Sequence, residues 1–230
     1  MEPQRRMFRR IIGAIVPILL GLWLISAGSA FTECTEPGKA RWLIKTSMPE
    51  GAPLKPAKPV PLPDLLPLNN PPGVEKNDGR YQTTRIPPFA NSLNVKEGDL
   101  LSTVGWLHLV AKEENDCDYH IQISNSPTDG NNCIIVEIPK DDEKFIASPE
   151  IRKLCGTARE FIRNRLLRGK EPTTGANVMQ HPTYVRVTGQ LFYDDAHIGD
   201  APRGKKKMHA ATLWELHPVI EIKFAPRPRP

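Results

Sequence analysis

Two late stretches of the chain, residues 184–193 and 214–224, alternate between apolar and polar positions with a period of two. Val185, Val187, Gly189, Leu191 and Tyr193 are small or apolar, and Arg186, Thr188 and Gln190 lie between them. That is the pattern of a strand with one buried face. In the second stretch Trp214, Leu216, Ile220, Ile222 and Phe224 take one side, while Glu215, His217, Glu221 and Lys223 mostly take the other. Val219 is the exception. Upstream, residues 103–110, 119–124 and 133–138 read as three further strands, with Pro127-Thr128-Asp129-Gly130-Asn131 as a turn and Pro139 as a stop. Between the third and fourth strands, Ser148-Pro149-Glu150 supplies a hydroxyl cap, a first-turn proline and an acid. Ile151, Leu154, Ala158, Phe161 and Ile162 then recur at helical spacing, and Arg163, Arg165, Arg168 and Gly169 close the helix.

This order predicts a mainly β fold, a five-stranded OB-fold-like barrel with one helix between strands three and four. The expected domain covers residues 96–225, with a Pro/Arg tail at 226–230. Strand one is expected between strands two and four, with strand five beside strand one as well. Side-chain parity puts Tyr119, Ile121 and Ile123 inside and an Asp/Glu/His group on the outer face.

Residues 1–30 read as a signal peptide. A head containing Arg5, Arg6, Arg9 and Arg10 precedes an apolar run at 11–27, and Gly28-Ser29-Ala30 offers a cleavage site. The protein is then exported, to the periplasm or outside the cell. An uncleaved membrane anchor through 11–27 is the alternative. Residues 31–48, with Arg41-Trp42-Leu43-Ile44-Lys45-Thr46, read as a first strand or clasp. A Pro-rich spacer follows at 49–95, with nine prolines in residues 49–72. Its leucines, Leu62, Leu65, Leu66 and Leu68, either dock on the domain or leave the segment a solvated tether. The net charge of +5 carries little information, because four basic residues but one acid fall in residues 1–30. It gives no strong case for a polyanionic partner.

Export puts Cys34, Cys117, Cys133 and Cys155 in an oxidising compartment, and their spacing matches no zinc motif. In a tight hairpin Cys133 lies near Ser124, about 20 Å along the ladder from Cys117. The expected disulfides are therefore Cys117 to Cys155 and Cys34 to Cys133.

Several segments carry a resemblance: Arg41-Trp42 with Lys45-Thr46, Asp118-Tyr119-His120-Ile121, Ile135-Val136-Glu137-Ile138-Pro139, Val185-Arg186-Val187-Thr188-Gly189 with Phe192-Tyr193-Asp194, and Glu215-Leu216-His217-Pro218. Together they resemble an uncharacterised family of exported bacterial proteins with an OB-fold-like domain. Where members often carry Asp-Gly-Asp, this chain has Asp116-Cys117-Asp118. The resemblance implies location and fold, and brings no catalytic residue, cofactor or substrate.

Two surfaces carry candidate chemistry. No cofactor is expected, but Asp118, His120, Asp194, His197, Glu215 and His217 offer imidazoles and carboxylates fit for a divalent metal, the one cofactor the sequence admits. The competing reading has each imidazole hydrogen-bonded to a neighbouring carboxylate or carbonyl, fixing strand register. Separately, Lys205, Lys206 and Lys207 with Arg186, Trp106 and Phe192 could hold a glycan or polyanion, or the lysine loop is simply solvated. No Gly-x-Ser-x-Gly elbow, phosphate loop or His-Glu-x-x-His helix is present. The expectation is an exported, non-enzymatic binding or envelope-associated module, with oligosaccharide or polyanion as ligand and an envelope protein as a further candidate partner. The alternative is a divalent-metal-dependent hydrolase using the Asp/His face.

Overall fold

A computed structural model of the chain describes Met1, Cys34, Pro37, Gly38 and residues 40–228. Its elements are α1 (Trp42–Lys45), β1 (Lys58–Pro59), α2 (Leu62–Leu65), β2 (Leu100–Lys112), β3 (Tyr119–Ser124), β4 (Cys133–Ile138), α3 (Pro149–Phe161), β5 (Asn177–Tyr193) and β6 (Ala210–Phe224). The strands β2-β3-β4-β6-β5 pair in that order and β5 returns to β2, closing a five-stranded barrel. Only β4–β6 is parallel within the barrel, and β1 adds a short parallel edge to β2. The topology is OB-fold-like, with α3 between the third and fourth barrel strands. One expectation is corrected. The last strand, β6, lies between β4 and β5 and does not neighbour β2.

The inner face is the one the alternation predicts. Tyr119, Ile121, Ile123, Ile134, Val136, Val185, Val187, Leu191, Leu216 and Ile222 all belong to one buried cluster, each worth roughly 1.5–3 kcal/mol of burial. Ser148 caps α3, its Oγ accepting from the Ile151 N–H at 3.4 Å, with Pro149 in the first turn. Ile151, Cys155, Ala158 and Ile162 then face the core at helical spacing. A π-helical turn, Ile162–Leu166, ends the helix. The arginines along this helix are not free. Arg152 and Arg163 pair with Glu143 and Glu171, and Arg159 lies 3.5 Å from the Tyr119 ring centroid while donating to the carbonyls of Cys117 and Ile138.

The Pro-rich segment is docked, so the solvated tether is excluded. Val60, Leu62, Leu65, Leu66 and Leu68 join the core cluster. Proline lacks a donor, so scattered backbone groups hold the segment, among them the Val60 N–H to Ser102 O at 2.9 Å, the Asn77 N–H to Asp195 O at 3.3 Å and the Trp214 indole to Asn69 O at 3.0 Å. The described residues from Cys34 to Pro228 thus belong to one compact unit. The clasp is a short helix and not a strand. Its entry residue Arg41 sits in the left-handed region with φ 49° and grips Glu97 through two 2.7 Å bonds.

The disulfide joins Cys34 to Cys117, while Cys133 and Cys155 are buried free thiols. Both expected pairings are therefore wrong. The clasp returns to the end of the hairpin where β3 begins, and Cys133 pairs across from Ser124 at the other end. Cys155 points toward Val219 O in the core. The disulfide indicates an oxidising compartment. Among the described residues no helix is long and apolar enough to cross a membrane. The signal peptide or anchor expected at 1–30 lies, apart from Met1, outside the described residues.

Candidate metal centre

The site grows out of strand register. β3 and β4 place His120 opposite Glu137, and the parallel β4–β6 pair places Ile135 beside Glu215 and Val136 beside Leu216. Because Val136 and Leu216 point inward, the alternate residues Glu137, Glu215 and His217 point outward on adjacent strands. Asp118 precedes β3, just after Cys117, whose φ of 62° turns the chain. Although it lies outside the barrel, this face is buried. Asp118, Glu215 and His217 are 0 % exposed, and His120 and Glu137 5 % and 6 %. The clasp lays Lys45 over it, and residues 194–209 bring Arg203 and Lys205 across the other side. What stays open is a pocket of about 400 Å³, lined among others by Lys45, Glu113, His120, Glu137, His197 and Arg203.

Glu137 is the centre. Its Oε1 lies 3.0 Å from His120 Nδ1, and its Oε2 lies 3.2 Å from His217 Nδ1. Glu113 Oε1 is 3.4 Å from the same His120 nitrogen. The other His120 nitrogen, Nε2, meets Gln122 Oε1 at 3.3 Å. Hydrogen bonding fixes which atom of that amide is the oxygen: Gln122 Nε2 donates to Met208 O at 2.9 Å, and Oε1 accepts from the Lys205 N–H at 2.7 Å. Gly204, at φ +121°, permits this turn, since a Cβ there would meet Met208 O. His120 Nε2 is therefore the donor, and in a neutral ring Nδ1 presents a lone pair to two carboxylates. That arrangement is repulsive unless a proton or a cation lies among the three atoms.

Deeper in, Asp118 Oδ2 is 3.3 Å from His217 Nε2. Neither oxygen of Asp118 and neither nitrogen of His217 makes a hydrogen bond of good geometry, nor does Glu215 Oε2. Buried polar atoms are rarely left so. The ligand atoms of Glu113, His120 and Glu137, and those of Asp118, Glu137 and His217, each fall within 4.8 Å of one another. Charge agrees with this. The carboxylates of Glu113, Asp116, Asp118, Glu137, Asp194 and Glu215 outnumber the fixed cations Lys45, Arg203 and Lys205 two to one. Burial alone would lower the His217 pKa, yet the Asp118, Glu137 and Glu215 carboxylates hold it well above 6.5. Burial would likewise raise Glu137, but His120, His217 and Lys45 hold it well below the usual carboxylate value. Burial and the nearby Asp118 and Glu137 charges push Asp116 up to about 7.

Of the six residues expected to form a metal set, Asp118, His120 and His217 converge around Glu137. Glu215 is held by Arg203, which also reaches Asp194 at 2.9 Å. Asp194 and His197 form a separate pair, with His197 Nδ1 2.6 Å from Asp194 Oδ2. Glu137 and Glu113 were missed. Glu137 had a signal, as the single charge in the apolar strand Cys133-Ile134-Ile135-Val136-Glu137-Ile138; Glu113, in a charged loop, had none.

The expected ligand-binding residues are dispersed. Phe192 is buried beneath Arg41 and Lys45, and so cannot stack on a ligand. Trp106 packs on Tyr184 at 5.0 Å, with Arg227 above it. Arg186 is exposed and lies opposite Lys223. Lys206 and Lys207 are exposed loop residues, while Lys205 pairs with Glu113 at 3.0 Å.

The His197–Asp194 pair sets a pH dependence. The hydrogen bond to Asp194 raises the His197 pKa above 6.5 despite partial burial. Burial would raise Asp194, but His197 and Arg203 hold it below 3.8. The histidine's contribution is complete below its unfolded pKa and is lost as pH climbs through the raised folded value. The aspartate's is present above its unfolded pKa and is lost as pH falls through the lowered one. Urea titration of wild type against His197→Gln should thus show the largest difference between about pH 4 and 6.5, shrinking above that window. The difference should stay within ~1 kcal/mol, because the imidazole is about half exposed.

Comparison of the chain with protein-family models, with curated proteins and with solved structures finds no match, so the chemistry of this site has to be read from its own residues.

Proposed function

We propose that this domain is an exported, divalent-metal-dependent hydrolase whose metal is held by Glu113, His120 and Glu137 on the wall of the 400 Å³ pocket. The observation that carries the reading is the convergence of two carboxylates on one imidazole nitrogen, while the other ring nitrogen donates to a glutamine carbonyl. Metal-bound histidines are generally oriented by such an outer hydrogen bond. An oxygen-rich set with one nitrogen suits Zn²⁺ or Mn²⁺ and not a thiolate-seeking ion. Three protein ligands would leave positions for water, and a divalent ion held there would lower the pKa of that water and so supply hydroxide for hydrolysis of an ester, amide or phosphate. His217 stands behind Glu137, 3.2 Å from its Oε2, with Asp118 at its other ring nitrogen. His197 lines the same pocket, and with its proton anchored through Asp194 it can hand a proton to a leaving group.

The full chain, purified without chelator or affinity tag, should carry close to one zinc or manganese by elemental mass spectrometry. Glu137→Gln should weaken that binding at least tenfold, since even the partners that only orient metal ligands typically cost ~10–100-fold when removed. His197→Gln should keep the metal and lose turnover of a p-nitrophenyl ester or phosphate. A folded protein that takes up no divalent ion even at millimolar concentration would end this reading, leaving protonated imidazoles as the counter-charge that fixes strand register.

A further inference from the structure

A second cavity lies away from the metal centre, between the docked Pro-rich wrap and the start of β2. Its volume is about 650 Å³, within the ~300–1,000 Å³ typical of small-molecule sites. Pro49, Pro56, Pro87 and Pro88 with Ile86 make its apolar walls. Proline fixes its own φ, so these walls are preformed and lose little freedom when something binds.

Four cations stand on the same cavity: Lys55, Lys58, Arg85 and Lys96. Two acids share it, but one is already taken. Glu97 is held by the buried Arg41 fork, and Asp99 accepts from the Lys96 backbone N–H at 2.9 Å. Lys55 and Lys96 are exposed, and among the described residues neither forms an ion pair. Arg85 is fixed from behind. Its Nη2 donates to Ser47 O at 3.0 Å and to Gln190 Oε1 at 2.7 Å. Its Nε, buried, has no acceptor at all. Gly98, at φ +96°, makes room for it, since a Cβ there would lie 2.7 Å from Arg85 Nε. Burial depresses the Arg85 pKa, and an anion beside it would offset that cost.

We infer that this cavity is a second binding site, for a small amphiphilic anion with an apolar body against the prolines and a carboxylate or phosphate head among Arg85, Lys55 and Lys96. The excess of cations sets the sign of the head, and the proline walls set the character of the body. The inference is independent of the metal reading.

The test is calorimetric titration of the full chain with decanoate, decyl phosphate and decyltrimethylammonium. Decanoate or decyl phosphate should bind one to one, and whichever binds tighter names the head group. The ammonium should bind at least tenfold more weakly. Lys55→Glu/Lys96→Glu, both on the surface, should lower the anion's affinity at least tenfold, and chelator-treated protein should keep it, separating this cavity from the metal centre. Arg85→Met, checked for folding by its circular-dichroism melt, should also lose affinity. Should that variant not fold, the surface pair still decides. Equal binding of anion and ammonium, an unchanged affinity in the double lysine variant, or no binding of either anion overturns the inference.

Discussion

Arg41→Leu is expected to destabilise the protein by about 3–5 kcal/mol, the cost of leaving one charge of a buried pair without its partner. Arg41 and Glu97 are both 0 % exposed at their side chains and meet at 2.7 Å. Their environment makes the pair hard to replace. Arg41 also donates to Tyr193 O at 2.8 Å and Tyr81 O at 2.9 Å, and Glu97 accepts from the Ile86 and Tyr193 N–H groups. One residue therefore ties the clasp, the end of the Pro-rich segment and the last residue of β5. Arg41→Lys keeps the charge but cannot present a planar fork, so its loss should fall between zero and that of leucine. Urea unfolding measures both. A loss under 1 kcal/mol for Arg41→Leu would mean that the clasp is held by its apolar contacts and its disulfide alone. The same variant should loosen Lys45, which reaches Glu137 at 4.0 Å, and so open the acid and imidazole pocket to solvent.

The second large effect belongs to the disulfide. Cys34 and Cys117 are separated by 83 residues, and on a chain-entropy account closing a loop of that length in the unfolded state is worth about 4.5 kcal/mol. The paired variant Cys34→Ser/Cys117→Ser should lose about this much stability in urea. Without reductant, the denatured wild-type protein should titrate two free thiols, those of Cys133 and Cys155. Four free thiols, or a peptide joining Cys117 to Cys155, would contradict the connectivity. The link also bears on the site. It holds the clasp against the residue that precedes Asp118, so its reduction should weaken metal binding as well as stability.

The barrel was legible because its signals are local. Period-two alternation in residues 184–193 and 214–224, the Ser148-Pro149-Glu150 start and the strand, strand, strand, helix, strand, strand order each depend on neighbours in the chain. The outcome matches them: β3 and β4 span the expected residues, and β2, β5 and β6 extend beyond the expected cores. The parity of His120 and His217 was legible for the same reason.

What lay beyond the sequence were the pairings across distance. A strand's alternation says which side chains point out, but not which strand lies alongside, so β6 was placed beside the wrong neighbour and Glu137 was overlooked as the residue joining His120 to His217. The cysteine pairing failed likewise, because the position of residue 34 depends on where the clasp docks, and no local periodicity encodes that. The Pro-rich segment could be read either way from composition. Its leucines are buried because the barrel offers an apolar surface at Trp214 and the β2 edge. Local alternation and capping thus determined the barrel, whereas the buried acid and imidazole cluster exists only because a parallel strand pair, a disulfide-held clasp and the loop carrying Arg203 and Lys205 close over one face, bringing like charges together at a cost in desolvation that only a folded whole can offset.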